Sequence, residues 1–179
     1  MTMSLSPSLS PPWATYRIGR GETGVLTYEP YKSALLPLWR FKTPAIARTS
    51  SSDLWAAFLN YEKEDDFVGM DMCRKFIQMG MTRAKRYANY KGGRNYEAGG
   101  KEGGKVIGIE EGADWEGRRE KEEASQVFRE VWERARSHGG YLAKKQEFLS
   151  RQKEWDTEKM RKEAPVGKGK KRKRKGENG

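Results

Sequence analysis

The sequence predicts a mainly α fold, and three observations carry the prediction. Residues 66–90 and 120–163 repeat apolar side chains at helical spacing, helix-starting and helix-ending residues bracket those runs, and strand-like alternation is confined to a short N-terminal stretch. The expected architecture is a small N-terminal β-hairpin, a central buried basic helix and a C-terminal helical hairpin. A chain of 179 residues is long enough for one domain with appendages. Five stretches follow from composition: 1–12 disordered, 13–96 a core domain, 97–117 a Gly-rich linker or loop, 118–163 a helical hairpin packing on the core, and 164–179 a disordered basic tail.

Residues 1–12 are rich in Ser and Pro and carry no cation. Tyr16-Arg17-Ile18 and Val25-Leu26-Thr27 flank Gly19-Arg20-Gly21-Glu22-Thr23-Gly24, a pattern that predicts the β-hairpin. Pro30 is placed to open a single helical turn that Pro37 closes. Thr43-Pro44 reads as an N-cap with proline at the first helical position, starting a helix that runs to about Tyr61 with Leu54, Trp55, Phe58 and Leu59 inward. The Ser50-Ser51-Ser52-Asp53 run is a weak point where that helix could restart. Glu62 to Asp66 forms an acidic turn.

The next helix, about Asp66 to Tyr90, is the predicted spine. Met70, Cys73, Ile77, Met81, Ala84 and Ala88 fall within roughly 80° of one another at helical spacing, and Phe76, Tyr87, Met72 and Met79 widen the apolar arc. The remaining arc carries Asp71, Arg74, Lys75, Gln78, Thr82, Lys85, Arg86 and Asn89. Arg74 with Lys85, and Lys75 with Arg86, sit eleven residues apart and return to one register, so four cations are expected on one exposed face. Arg83 lies inside the apolar arc and must snorkel or find a carboxylate. Gly92-Gly93 ends the helix, and seven glycines follow between Glu97 and Gly117.

From Glu120, the residues Ala124, Val127, Phe128, Val131, Trp132 and Ala135 keep strict helical spacing. A short Ser137–Gly140 turn leads to a second helix, about Tyr141 to Glu163, striped by Leu142, Phe148, Leu149, Trp155 and Met160. The pair predicts a helical hairpin that Pro165 ends.

The charge is +11 overall and unevenly spread. Residues 1–96 carry 14 basic and 8 acidic side chains, residues 97–164 carry 15 and 16, and the last fifteen carry 7 and 1. From Met72 to Tyr96 there are seven cations and no acid. That concentration on a folded surface points to a polyanionic partner. Cys73 and His138 are the only residues of their types, which excludes an intramolecular disulfide and Cys/His zinc sites and fits a reducing compartment. No signal peptide, transit peptide or membrane span is recognisable, so a soluble intracellular protein without membrane contact is expected.

Each candidate motif has a plainer reading beside it. Gly19 to Gly24 matches G-x-G-x-x-G, but no helix follows to face a pyrophosphate, so the run reads as a turn. Lys91-Gly92-Gly93-Arg94 offers a phosphate two cations and backbone N–H groups, and serves equally as a helix cap. Asp65, Asp66 and Asp71, with Glu62 and Glu64 nearby, are weak candidates for a divalent metal; capping of the spine helix is the simpler account. Lys168 to Lys175 contains the run Lys170, Lys171, Arg172, Lys173, Arg174 and Lys175, which matches a nuclear localisation signal read by an import receptor.

Several blocks, Tyr16–Leu26, Glu29–Ser33, Leu36–Ala47 and above all Asp66–Gly93, resemble an uncharacterised family catalogued only as a domain of unknown function and found in bacteria, phages and fungi. The resemblance resumes at Ala124–Arg136 and weakly at Tyr141–Leu149. It implies a genuine domain and supplies no catalytic residue. It also implies that the core function is not inherently nuclear, with the basic tail an addition suited to a eukaryotic nucleus.

The expected role is therefore a small nucleic-acid-binding or accessory protein, DNA or RNA undetermined, located in the nucleus and needing no cofactor. Arg74, Lys75, Lys85 and Arg86 would contact phosphates, with Lys91 and Arg94 extending the patch. The alternatives are a metal-dependent enzyme acting on nucleotides or nucleic acid, and a scaffold protein using its apolar stripes.

Overall fold

The computed structural model describes residues 12–90, 93 and 117–163. They form six α-helices: α1 (Pro12–Thr15), α2 (Tyr31–Leu35), α3 (Pro44–Lys63), α4 (Phe67–Asn89), α5 (Arg118–Arg136) and α6 (Gly139–Glu163), with a 3₁₀ turn at Leu36–Leu38 after α2. The predicted mainly α class holds. Residues 1–11 of the 1–12 stretch expected to be disordered, most of the Gly-rich linker and the 164–179 tail lie outside the described residues, as do Lys91 and Arg94.

The predicted β-hairpin is not formed; no strand occurs among the described residues. Residues 16–27 instead coil through successive turns, with Thr23 N–H donating to Arg20 O (3.2 Å), Val25 N–H to Glu22 O (3.2 Å) and Thr27 N–H to Gly24 O (3.1 Å). The Thr23 and Thr27 hydroxyls donate to the same Arg20 and Gly24 carbonyls. Gly21 (φ 61°) and Gly24 (φ 82°) take the left-handed conformation that lets the chain curl back on itself. Threonine hydroxyls and two left-handed glycines satisfy the backbone locally, so no strand pairing is needed.

Helix α3 is continuous through the serine run. Thr43 caps it, accepting from Ile46 N–H at 3.3 Å. The serines escape their usual helix-breaking role because their hydroxyls have partners. Ser50 Oγ donates to Leu38 O (2.7 Å) and accepts from Arg40 N–H (2.9 Å), while Ser51 Oγ donates to Arg48 O (3.1 Å).

Helix α4 is the spine. Asp66 caps it, accepting from Gly69 N–H at 2.9 Å. Its neighbours approach closely because two of its residues are glycines. A Cβ on Gly69 would lie 2.3 Å from the Tyr61 ring, and one on Gly80 would lie 2.5 Å from the Phe128 ring. α3 and α5 therefore pack directly on its backbone. Met70, Met72, Cys73, Phe76, Ile77, Phe58, Leu54 and Phe128 form the fully buried centre. Arg83 is half-buried, and its Nε finds no hydrogen-bond partner among the described residues.

The two C-terminal helices follow one another across a tight turn but do not pack as a hairpin. α5 lies against α3 and α4, whereas α6 runs past the start of α4 and the N-terminal turns. The inward seam of α6 is also not the leucine stripe. Leu142, Leu149 and Met160 are exposed, while Tyr141, Phe148 and Gln152 are buried. The seam carries polar tips because polar partners await them: Tyr141 Oη donates to Asp71 and Gln152 Nε2 to Tyr16 O (2.6 Å).

Candidate functional site

Four residues of α4 that the helical pattern assigns to the solvent face have buried surroundings or close neighbours. Asp71 is fully buried, Lys75 is 1% exposed and Arg74 9%. Gln78 is half-buried. The 16–27 turns cover this face from one side and α6 from the other. The expected exposed face of Arg74, Lys75, Lys85 and Arg86 thus divides in two, and its first pair is enclosed.

Asp71 is the centre of the enclosed half. Tyr16 Oη donates to Oδ2 at 2.5 Å, Tyr141 Oη to Oδ1 at 2.7 Å, and Arg74 Nε to Oδ1 at 2.8 Å. Lys75 Nζ stands 3.7 Å from Oδ2, donates to Thr23 O at 3.0 Å and lies 4.9 Å from the centre of the Tyr16 ring. Burial alone would raise the Asp71 pKa, but the Arg74 charge and the donors from Tyr16, Arg74 and Tyr141 outweigh it and hold the carboxyl below its usual range. For Lys75 burial dominates, with the Arg74 charge adding to it, and the ammonium is pushed below the usual lysine value. Burial and the Asp71 charge together raise the Tyr16 and Tyr141 phenols, so both stay protonated as donors. The network ties Tyr16 and Thr23, α4 and α6 into one unit.

The other half of the predicted face, exposed Lys85 and half-buried Arg86, lies at the other end of α4. Lys85 is exposed and its Nζ lies 3.5 Å from Glu122 Oε1, which also pairs with Arg118 Nε at 3.5 Å. Lys121 donates from Nζ to Lys42 O and sits 5.9 Å and 6.0 Å from the Phe41 and Tyr87 ring centres. Burial, with Lys42 alongside, depresses the Lys121 pKa even though Glu120 opposes it. Arg48 pairs with Glu123. Lys42, Lys85, Arg86, Arg118, Arg119 and Lys121 therefore crowd the junction of the last turn of α4 and the first turn of α5, against Glu120, Glu122 and Glu123. Arg86 suits the negative end of α4, but three cations in the first turn of α5 oppose that helix's dipole. That misfit is visible in the sequence at Arg118, Arg119 and Lys121 and is the signal that could have found them.

The acidic candidates separate. Asp66 caps α4 and accepts from Tyr31 Oη at 2.7 Å, Asp65 pairs with Lys144, and Asp71 is saturated inside the network. Asp65, Asp66 and Asp71 share no metal site, and no group of three His, Cys, Asp or Glu side chains converges among the described residues. Among the described residues, no helix is long and apolar enough to cross a membrane. Lys91, Arg94 and the run Lys170, Lys171, Arg172, Lys173, Arg174, Lys175 lie outside the described residues.

A helical domain built on one buried spine, with a charged network inside it and a basic junction at one end, is the class the geometry defines. The chain belongs to the family of the domain of unknown function DUF4385, whose model matches residues 9–151. No curated protein and no solved structure matches it.

Proposed function

We propose that the protein is a small nucleic-acid-binding or accessory protein whose contact surface is the α4–α5 junction, not the middle of α4. The observation that carries this reading is the crowding of Lys42, Lys85, Arg86, Arg118, Arg119 and Lys121 against three glutamates, with Arg118, Arg119 and Lys121 at a helix start whose dipole disfavours positive charge. Such crowding costs self-repulsion, which phosphates relieve by replacing counterions. Lys91 and Arg94 belong to the same stretch of sequence and are proposed to extend the contact. Arg74 and Lys75 drop out as phosphate contacts of a long polyanion because the fold encloses them.

The run from Lys168 to Lys175 is proposed as a nuclear localisation signal engaged by an import receptor. A salt-dependent binding curve for the protein lacking residues 165–179 tests the first part. Binding that weakens steeply with salt supports the junction, and no binding at low salt removes it.

A further inference from the structure

The buried network does not balance its charge. Asp71 is one anion against Arg74 and Lys75, and its two oxygens already accept from Tyr16, Tyr141 and Arg74. Lys75 is enclosed, using Thr23 O and the Tyr16 ring. The unspent donors belong to Arg74. Its Nε serves Asp71 and Tyr141 and its Nη1 donates to Gln78 Oε1 at 3.1 Å, but Nη2 makes no hydrogen bond among the described residues. The guanidinium reaches the surface, with 11% of the side chain exposed.

What lies beside that opening is a glycine turn. The 19–24 turns run along one side of α4: Thr23 meets Lys75, Gly21 faces Gln78, and Glu22 accepts from the Thr82 hydroxyl at 3.1 Å. A Cβ on Gly21 would come within 3.6 Å of Gln78 Nε2, and Gly21 has φ 61°. Arg74 Nη1 bonds Gln78 Oε1 while Gln78 Nε2 faces Gly21, so guanidinium and amide sit together over a centre with surplus positive charge, beside a backbone that carries no side chain at Gly21.

We infer that Arg74, Gln78 and the Gly21 turn form a binding site for a single phosphate group. A planar guanidinium edge and an amide suit the several acceptor oxygens of a tetrahedral dianion, whose charge offsets the surplus cation beneath. Glu22, held by Thr82 one helical turn beyond Gln78, is a like charge that disfavours a second phosphate in that direction. The site is separate from the α4–α5 junction and does not depend on the reading proposed for it. The phosphate comes either free or as the terminal group of a nucleotide or nucleic acid.

The test uses the full chain and inorganic phosphate, with chloride at equal ionic strength as reference, read by the Arg74 Nε–H resonance and by Tm. A saturable shift of that resonance with a rise in Tm is expected. Gln78→Leu, a half-buried near-isosteric change, should weaken phosphate at least tenfold, and Arg74→Lys should remove the response. If Arg74→Lys does not fold, Gln78→Leu decides alone. Lys85→Gln with Arg86→Gln should leave phosphate binding intact. A phosphate response no larger than chloride's, one unchanged in Gln78→Leu, or one abolished in the Lys85/Arg86 variant overturns the site. Competition by a nucleoside 5′-monophosphate or a 5′-phosphorylated oligonucleotide, but not by their 5′-hydroxyl forms, assigns the site to terminal phosphates; competition by neither assigns it to free phosphate.

Discussion

Tyr141 on α6 donates its hydroxyl to Asp71 on α4 at 2.7 Å, joining two residues seventy positions apart inside the protein. Tyr141→Phe removes one donor from a buried carboxylate and one acceptor from Arg74 Nε, which keeps its bond to Asp71. It should cost about 1–3 kcal/mol in urea unfolding, the range for leaving a buried polar group short of a partner. A variant as stable as wild type would mean that water or Arg74 replaces the hydroxyl freely, and that α6 is held by its apolar contacts alone.

Asp71→Asn should be worse, because it leaves Arg74 and Lys75 enclosed with no anion. Breaking a buried ion pair this way costs about 3–5 kcal/mol. The pH dependence follows from the depressed Asp71 pKa. Its stabilising contribution is fully present above the unfolded aspartate value of about 3.9 and is lost as pH falls through the lower folded value. Wild-type stability should therefore fall more steeply than that of Asp71→Asn below about pH 4. Parallel acid profiles for the two proteins would contradict the assignment.

Much of this is legible in the sequence. The Thr43 cap, the α4 spine and the Ala124–Phe128–Ala135 seam of α5 all follow from spacing, since each depends on residues within one helix. What periodicity cannot show is the third dimension of α4. A helical wheel puts Arg74 and Lys75 in water unless something covers them, and the cover comes from Tyr16, Thr23 and Tyr141, far away in the chain. The α6 seam misleads for the same reason. Leu142 and Leu149 look like core residues until Asp71 gives Tyr141 somewhere to donate. The threonines and glycines of 19–27 resemble a hairpin because the same residues also close successive turns.

Gly80 is a sharp probe of the α4–α5 contact. Gly80→Ala places a methyl 2.5 Å from the Phe128 ring, and overpacking of this kind costs about 1–3 kcal/mol. Phe128→Ala should cost about 3–5 kcal/mol as the opposite defect. In the double variant the alanine methyl occupies space the ring vacates, so the two costs should add to less than their sum in thermal unfolding. Simple additivity would mean that α5 does not seat on Gly80.

Fusing residues 165–179 to a cytosolic reporter should concentrate it in nuclei, because the segment carries seven cations and one acid. An evenly distributed reporter would remove the nuclear proposal without touching the rest.

The division of the α4 cations into an enclosed pair and an exposed group is tested by the salt dependence of nucleic-acid binding in protein lacking residues 165–179. Lys42, Lys85 and Arg86 changed together to Gln should leave the helical circular-dichroism spectrum intact and weaken binding. Every phosphate that the variant no longer neutralises lowers the slope of log K against log salt by about 0.9 on duplex DNA or about 0.7 on a single strand, so the slope should flatten by roughly 2–3 units. Arg74 and Lys75 changed to Gln should instead lower Tm sharply, through the buried Asp71 they leave unpaired. A folded Lys42/Lys85/Arg86 variant with the wild-type slope, or an Arg74/Lys75 variant that stays fully stable, would contradict the account.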